Sequence, residues 1–108
     1  FDSEEDFYHG FLLGLLRPLQ NYKTLSNRES GNGRPDIVLK PYDEQKAAVV
    51  LELKHVKKYT EMEAGCEEAL RQIEEQQYGK GRLEEGYREV ISYGICFCKK
   101  SCLVKKLR

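Results

Sequence analysis

Arg34-Pro35-Asp36-Ile37-Val38-Leu39 and, after a short polar stretch, Ala47-Ala48-Val49-Val50-Leu51-Glu52-Leu53-Lys54 decide the fold. Each reads as a strand. The second opens on an unbroken apolar run, as a strand buried on both faces does, and ends by alternating charged and apolar residues. A period of two places Val50, Glu52 and Lys54 on one face and Leu51 and Leu53 on the other. At a rise of roughly 3.3 Å per residue, the Cβ atoms of Glu52 and Lys54 lie about 7 Å apart, near enough to face one ligand. A carboxylate on an apolar strand is costly without compensation, and an ion pair with Lys54 recovers only part of that cost. A divalent cation compensates two carboxylates together, and Asp36 supplies the second. Pro35 biases Arg34 toward extended backbone, which sets Asp36 at the start of the neighbouring strand. The alternative is an edge strand with Glu52 and Lys54 as ordinary solvated charges.

Upstream, residues 2–17 are expected to form a helix with Asp2 or Ser3 as N-cap and acids in its first turn. Phe7, Phe11, Leu12, Leu15 and Leu16 make its apolar face, and Pro18 ends it. Glu5 and His9 are neighbours on this helix. Tyr22 to Arg28 alternates like a strand. Glu29-Ser30-Gly31-Asn32-Gly33, rich in residues that tolerate positive φ, turns it into the Asp36 strand as a hairpin. The Asp36 and Glu52 strands join around Pro41-Tyr42-Asp43-Glu44. Downstream, Thr60-Glu61-Met62-Glu63 has the spacing of a capping box and opens a second helix to about Tyr78, ended by Gly79. Met62, Cys66, Ala69 and Ile73 recur at helical spacing and face the sheet. Gly79 to Glu89 reads as a polar, glycine-punctuated loop. Val90 to Cys98 is a fourth strand, apolar enough to be central, and Cys102 to Leu107 a short fifth at an edge fenced by lysines. Periodicity alone specifies an α/β or α+β fold with one mixed sheet.

The 108 residues, 40% of them hydrophobic, suffice for one domain with a modest core and leave no room for a second. The chain opens on Phe1 and has no apolar run long enough to span a bilayer. The expectation is therefore a fragment of a longer soluble, cytoplasmic protein, with neither signal peptide nor membrane partner. The 18 basic and 18 acidic residues cancel, so the whole-domain field does not attract nucleic acid and any contact must come from local patches. Lys99, Lys100, Lys105, Lys106 and Arg108 make one such patch, while Glu61, Glu63, Glu67, Glu68, Glu74 and Glu75 make the second helix acidic. Taken singly, each of these lysines reads first as a solvated surface charge. Cys66, Cys96, Cys98 and Cys102 lack the paired spacing of structural zinc sites, and buried reduced thiols are expected.

Pro35-Asp36, a gap, then Glu52-Leu53-Lys54 resembles the signature of the PD-(D/E)XK nuclease superfamily: an aspartate, then on the next strand an acid, any residue and a lysine. Tyr8-His9-Gly10-Phe11, the stretch from Ser26 to Asp36, and Ala69-Leu70-Arg71-Gln72-Ile73 extend the similarity. From Tyr8 to about Lys100 the chain resembles the bacterial family of such domains usually found C-terminal to an AAA-type ATPase-like domain. The resemblance implies one restriction-endonuclease-like domain over residues 1–108, with an αβββαβ core, one added strand, and a mixed central sheet flanked by helices. It implies a nuclease dependent on Mg²⁺ (or Mn²⁺) that hydrolyses DNA phosphodiester bonds, joined to an N-terminal ATPase-like domain, with RNA as substrate and a homodimer left open.

In that reading Asp36, Glu52 and the backbone carbonyl of Leu53 would hold the ion. Lys54 would position or activate the attacking water and offset phosphate charge. The first helix of superfamily members often lends an acid or a histidine to the metal, matched here by Glu5 or His9. In RecB-like members a glutamine and a tyrosine on the second helix lie near the active site. Gln72, the fourth candidate catalytic residue, and Tyr78 resemble them, though their spacing departs from the step those members keep. Arg34, the Gly31 to Gly33 turn, Lys99 and Lys100 would contact the nucleic-acid backbone. Two other readings stay open: a catalytically silent nuclease-fold module that binds nucleic acid or protein, and an accessory domain docked on a partner ATPase.

Overall fold

The computed structural model describes residues 3–27 and 34–108. Along the chain run helix α1 (Ser3–Leu16), strands β1 (Tyr22–Ser26), β2 (Ile37–Pro41) and β3 (Ala48–His55), and a 3-10 turn (Tyr59–Glu61). Helices α2 (Met62–Glu75) and α3 (Tyr78–Glu84) and strands β4 (Val90–Cys98) and β5 (Ser101–Lys106) follow. The strands form one mixed sheet in the order β1-β2-β3-β4-β5, parallel only between β3 and β4. That parallel step needs a crossover long enough to return along the sheet, which α2 and α3 provide. The expected αβββαβ core is present, with α3 inserted before β4 and β5 added at the edge.

The alternation of β3 sorts the core into two sides. Leu51 and Leu53 pack with Ile37, Leu39, Ile95 and Phe97 beneath α1, while Val50 packs with Leu70, Ile73 and Tyr78 beneath α2 and α3. Burying a side chain such as Leu53 contributes about 1.5–3 kcal/mol. A one-residue slip of β3 would exchange its leucines for its charges, so packing fixes which way Glu52 and Lys54 point. A third cluster joins Met62 and Cys66 of α2 to Cys96 and Cys98 of β4. Cys66, Cys96 and Cys98 are buried free thiols and Cys102 is an exposed one. Burial pushes the Cys96 thiol up to about 11. A Cβ on Gly94 would stand 2.9 Å from the Cys66 carbonyl oxygen, and one on Gly65 would stand 2.5 Å from the Cys96 sulfur. These two glycines let α2 lie close on the sheet, which brings its Gln72 over β3.

Several local expectations are corrected. The sheet-facing stripe of α1 is Tyr8, Leu12, Leu13 and Leu16, whereas Phe7, Phe11 and Leu15 are 67%, 55% and 61% exposed. Apolar residues line both flanks of this helix, so spacing alone does not choose between them. Ser3 is already helical, and Asp2 lies outside the described residues. Thr60 does not cap α2: it sits inside the 3-10 turn, and Glu61 takes the N-cap position without a side-chain hydrogen bond. α2 ends at Glu75 rather than near Tyr78, because Gln77 adopts left-handed backbone with φ 55°. The chain then re-forms as α3 where a loop was expected. Gly79 and Gly81 lower its intrinsic propensity, and burial of Tyr78 at its start anchors it. β1 ends at Ser26, and the expected turn from Glu29 to Gly33 lies outside the described residues. Among the described residues no helix is long and apolar enough to cross a membrane.

Candidate active site

The ladder between β2 and β3 runs only as far as the pair Ile37 and Leu51, one position short of Asp36 and Glu52. Beyond it, side chains take over the backbone's partners. The Asp36 amide donates to Glu52 Oε1 at 3.1 Å, and the Leu53 amide donates to Asp36 Oδ2 at 2.9 Å. Each carboxylate thus holds the other residue's strand, and the two acids stand side by side where the strands part. The Asp36 carbonyl accepts the Asn27 amide at 3.0 Å and lies 3.2 Å from His9 Nε2, which is also 3.3 Å from Ser26 Oγ. His9 is buried. It braces the main chain of Asp36 and is not the solvated histidine that a lone helical His suggests.

Glu52 is 2% exposed, which removes the reading of a solvated edge charge. Burial first, and then the Asp36 carboxylate, push its carboxyl up from 4.5 to about 8, against the pull of the Asp36 amide and Lys54. Glu5 on α1 adds to the upward push. A buried acid pressed by other acids is what a divalent cation would relieve, and the donors here are all hard oxygens. Among the described residues no set of three or more His, Cys, Asp or Glu side chains makes a complete cage. The Asp36 and Glu52 pair matches the one or two carboxylates that Mg²⁺ sites characteristically use, with the remaining positions left to water and phosphate. The residues present therefore fit such an ion.

Lys54 leaves Glu52 to the acids and reaches α2. Its Nζ donates to Gln72 Oε1 at 2.8 Å and lies 4.0 Å from Glu68 Oε1. The Gln72 side chain also hydrogen-bonds the Tyr78 hydroxyl, whose pKa is raised by burial and further by the charges of Glu52 and Asp36. The left-handed Gln77 explains why the spacing of Gln72 and Tyr78 works. At about 100° per residue, one continuous helix would turn Tyr78 away from Gln72, whereas the break returns it to the same site.

Arg34 borders a cleft shared with Tyr78 and α3. Lys99 and Lys100 lie elsewhere, in the turn between β4 and β5, beside Phe7, Tyr8 and Phe11 on the α1 side. Lys99 Nζ stands 5.1 Å from the Tyr59 ring centroid. Lys105 is held by Glu67 at 2.9 Å and Glu63 at 3.8 Å, so the acidic helix offsets part of the C-terminal basic run. The Gly31 to Gly33 turn lies outside the described residues. Sequence reasoning missed His55, whose Nε2 lies 2.7 Å from Glu4 Oε2 and whose ring stacks on Tyr8 at 5.5 Å. Tyr8 stacks in turn on Phe97 at 4.6 Å. This stack ties the first turns of α1 to the end of β3, beside Lys54, and no spacing rule along the chain signals it.

A family model for the PD-(D/E)XK nuclease superfamily matches residues 3–107. Among curated proteins none matches the chain.

Proposed function

Since the chain belongs to the PD-(D/E)XK nuclease superfamily, we propose that it is a metal-dependent nuclease domain that hydrolyses phosphodiester bonds of DNA. The observation that carries this reading is the reciprocal clamp of Asp36 and Glu52, with Lys54 on the same face of β3. Asp36, Glu52 and the Leu53 carbonyl would hold Mg²⁺ or Mn²⁺. Such an ion, when bound, supplies an activated water and polarisation of the phosphate.

The protein's own groups do the rest. The clamp presents both carboxylates in one orientation before any ligand arrives, which lowers the cost of organising the site. Lys54, held by Gln72, presents an ammonium where it can orient the attacking water and offset charge developing on the phosphate. Gln72 holds that ammonium, which also stands 4.0 Å from Glu68. His9 acts one step removed, through the Asp36 carbonyl, and Glu5 contributes negative charge from α1.

The test is incubation of the full-length protein with plasmid and with single-stranded DNA, in Mg²⁺, Mn²⁺ or EDTA. Cleavage in either metal and none in EDTA is expected. Cleavage that persists in EDTA, or its absence with every substrate and metal, would contradict the reading.

A further inference from the structure

A cleft of about 400 Å³ opens beside Asp36, between the β1–β2 pair and α3. Arg34, Lys40 and Arg82 bring three cations to its wall, and among the described residues Glu85 is the one acid there. Lys40 Nζ lies 2.9 Å from Glu85 Oε2 and Arg82 Nε 2.6 Å from Glu85 Oε1, so one carboxylate holds two cations in place and leaves a surplus of positive charge. In a chain whose formal charge is +0 this is a local anion-attracting surface next to the two acids. Tyr78 belongs both to the cleft wall and to the Gln72–Lys54 network, and Pro35 of the wall precedes Asp36 directly. The cleft therefore adjoins the carboxylate pair through Pro35 and Tyr78, although neither acid lines it.

Gln77 adds a second observation. It lines the cleft with φ 55°, a left-handed conformation that is strained for a residue with a side chain and persists where its surroundings or its task require it. Glycine would relieve the strain, yet the position carries an amide, which offers a donor and an acceptor.

We propose that this cleft is a nucleotide subsite: it receives the nucleotide next to the scissile phosphodiester, with Arg34, Lys40 and Arg82 on the phosphate side and Gln77 on the base. The proposal rests on the nuclease reading of Asp36, Glu52 and Lys54. The volume is near the low end of the roughly 300–1,000 Å³ of small-ligand sites, which suits one nucleotide rather than a duplex. A guanidinium held by a carboxylate, as Arg82 is by Glu85, is preorganised for phosphate oxygens, and a primary amide reads the edge of an unstacked base.

The test uses the full-length protein and a fluorescein-labelled single-stranded oligodeoxynucleotide. Arg82→Gln should raise KM about five- to tenfold, with a much smaller change in kcat, and lower the salt slope of binding by about one. Arg82→Lys, which keeps the charge, should restore most of the loss. Gln77→Gly should melt at the same temperature or higher while raising KM at least about threefold and weakening any preference for the flanking base. A merely structural role would move stability and binding together. Wild-type KM and salt slope in both Arg82→Gln and Gln77→Gly, in a protein that still cuts, would overturn the subsite and leave the nuclease reading standing. Failure of the wild type to bind or cut any nucleic acid would remove the nuclease reading and the subsite with it.

Discussion

Glu52→Gln separates the electrostatic cost of the site from its packing. Gln keeps an oxygen that can accept the Asp36 amide, as Glu52 Oε1 does at 3.1 Å, but cannot ionise. The Glu52 carboxyl is raised from 4.5 to about 8 in the folded chain. Between those values the folded state holds a proton that the unfolded state has released, so wild-type stability from this group is full below about 4.5 and is lost as pH rises to about 8. At about 1.4 kcal/mol per pH unit the loss is on the order of 5 kcal/mol, and since Glu52 is 2% exposed, solvent does little to screen it. Urea unfolding of both proteins in EDTA from pH 5 to pH 9 gives a difference curve in which titrations away from the site cancel. The variant should match wild type near pH 5 and exceed it increasingly up to pH 8. With m about 1–3 kcal/mol per molar, the gap in midpoint would reach roughly 2–5 M urea. Mg²⁺ added at pH 8 should then stabilise wild type and not the variant. A difference curve flat from pH 5 to pH 9 would refute the strained-carboxylate account.

Gly94→Ala should destabilise the fold by about 1–3 kcal/mol in a thermal melt, since its Cβ would stand 2.9 Å from the Cys66 carbonyl oxygen. His9→Phe should cost about 1–2 kcal/mol by leaving the Asp36 carbonyl one partner short. Calorimetry should show it weakening Mg²⁺ binding less than Glu52→Gln does, because His9 meets the carbonyl and not the carboxylate. Neutralising Lys99 and Lys100 together should reduce the salt slope of DNA binding without changing base preference, whereas Lys105→Gln should reduce it less, since Glu67 already holds that lysine. Electrophoretic titrations at several salt concentrations read both.

Much of the site was legible because it lies on a strand. The apolar run before Glu52 and the period of two are enough to set Glu52 and Lys54 on one face, and the core confirms it with Leu51 and Leu53 on the other. Pro35 before Asp36 likewise signalled where the partner strand begins. The helices were less legible for physical reasons. α1 is apolar on two flanks, so only contact with the sheet selects Tyr8 over Phe7. α3 has two glycines among its residues and exists because Tyr78 is buried. Left-handed backbone at Gln77 carries no signal in a glutamine, yet it decides that Tyr78 meets Gln72. The bracing of Asp36 by His9 and of α1 by His55 and Glu4 joins residues far apart in the chain, which periodicity cannot pair.

If Asp36 and Glu52 hold a cation while Lys54 serves the chemistry, Lys54→Met separates the two roles. Lys54 donates to Gln72 and lies 4.0 Å from Glu68, so its removal leaves both acids and their clamp in place. Mg²⁺ titration by calorimetry and a plasmid-nicking assay are run on the same preparation. The Kd for Mg²⁺ should equal wild type or be slightly tighter, as a nearby positive charge is lost, and turnover should fall at least about a hundredfold. Loss of metal affinity and fold stability together, with cleavage persisting, would make Lys54 a structural partner and contradict that division of roles.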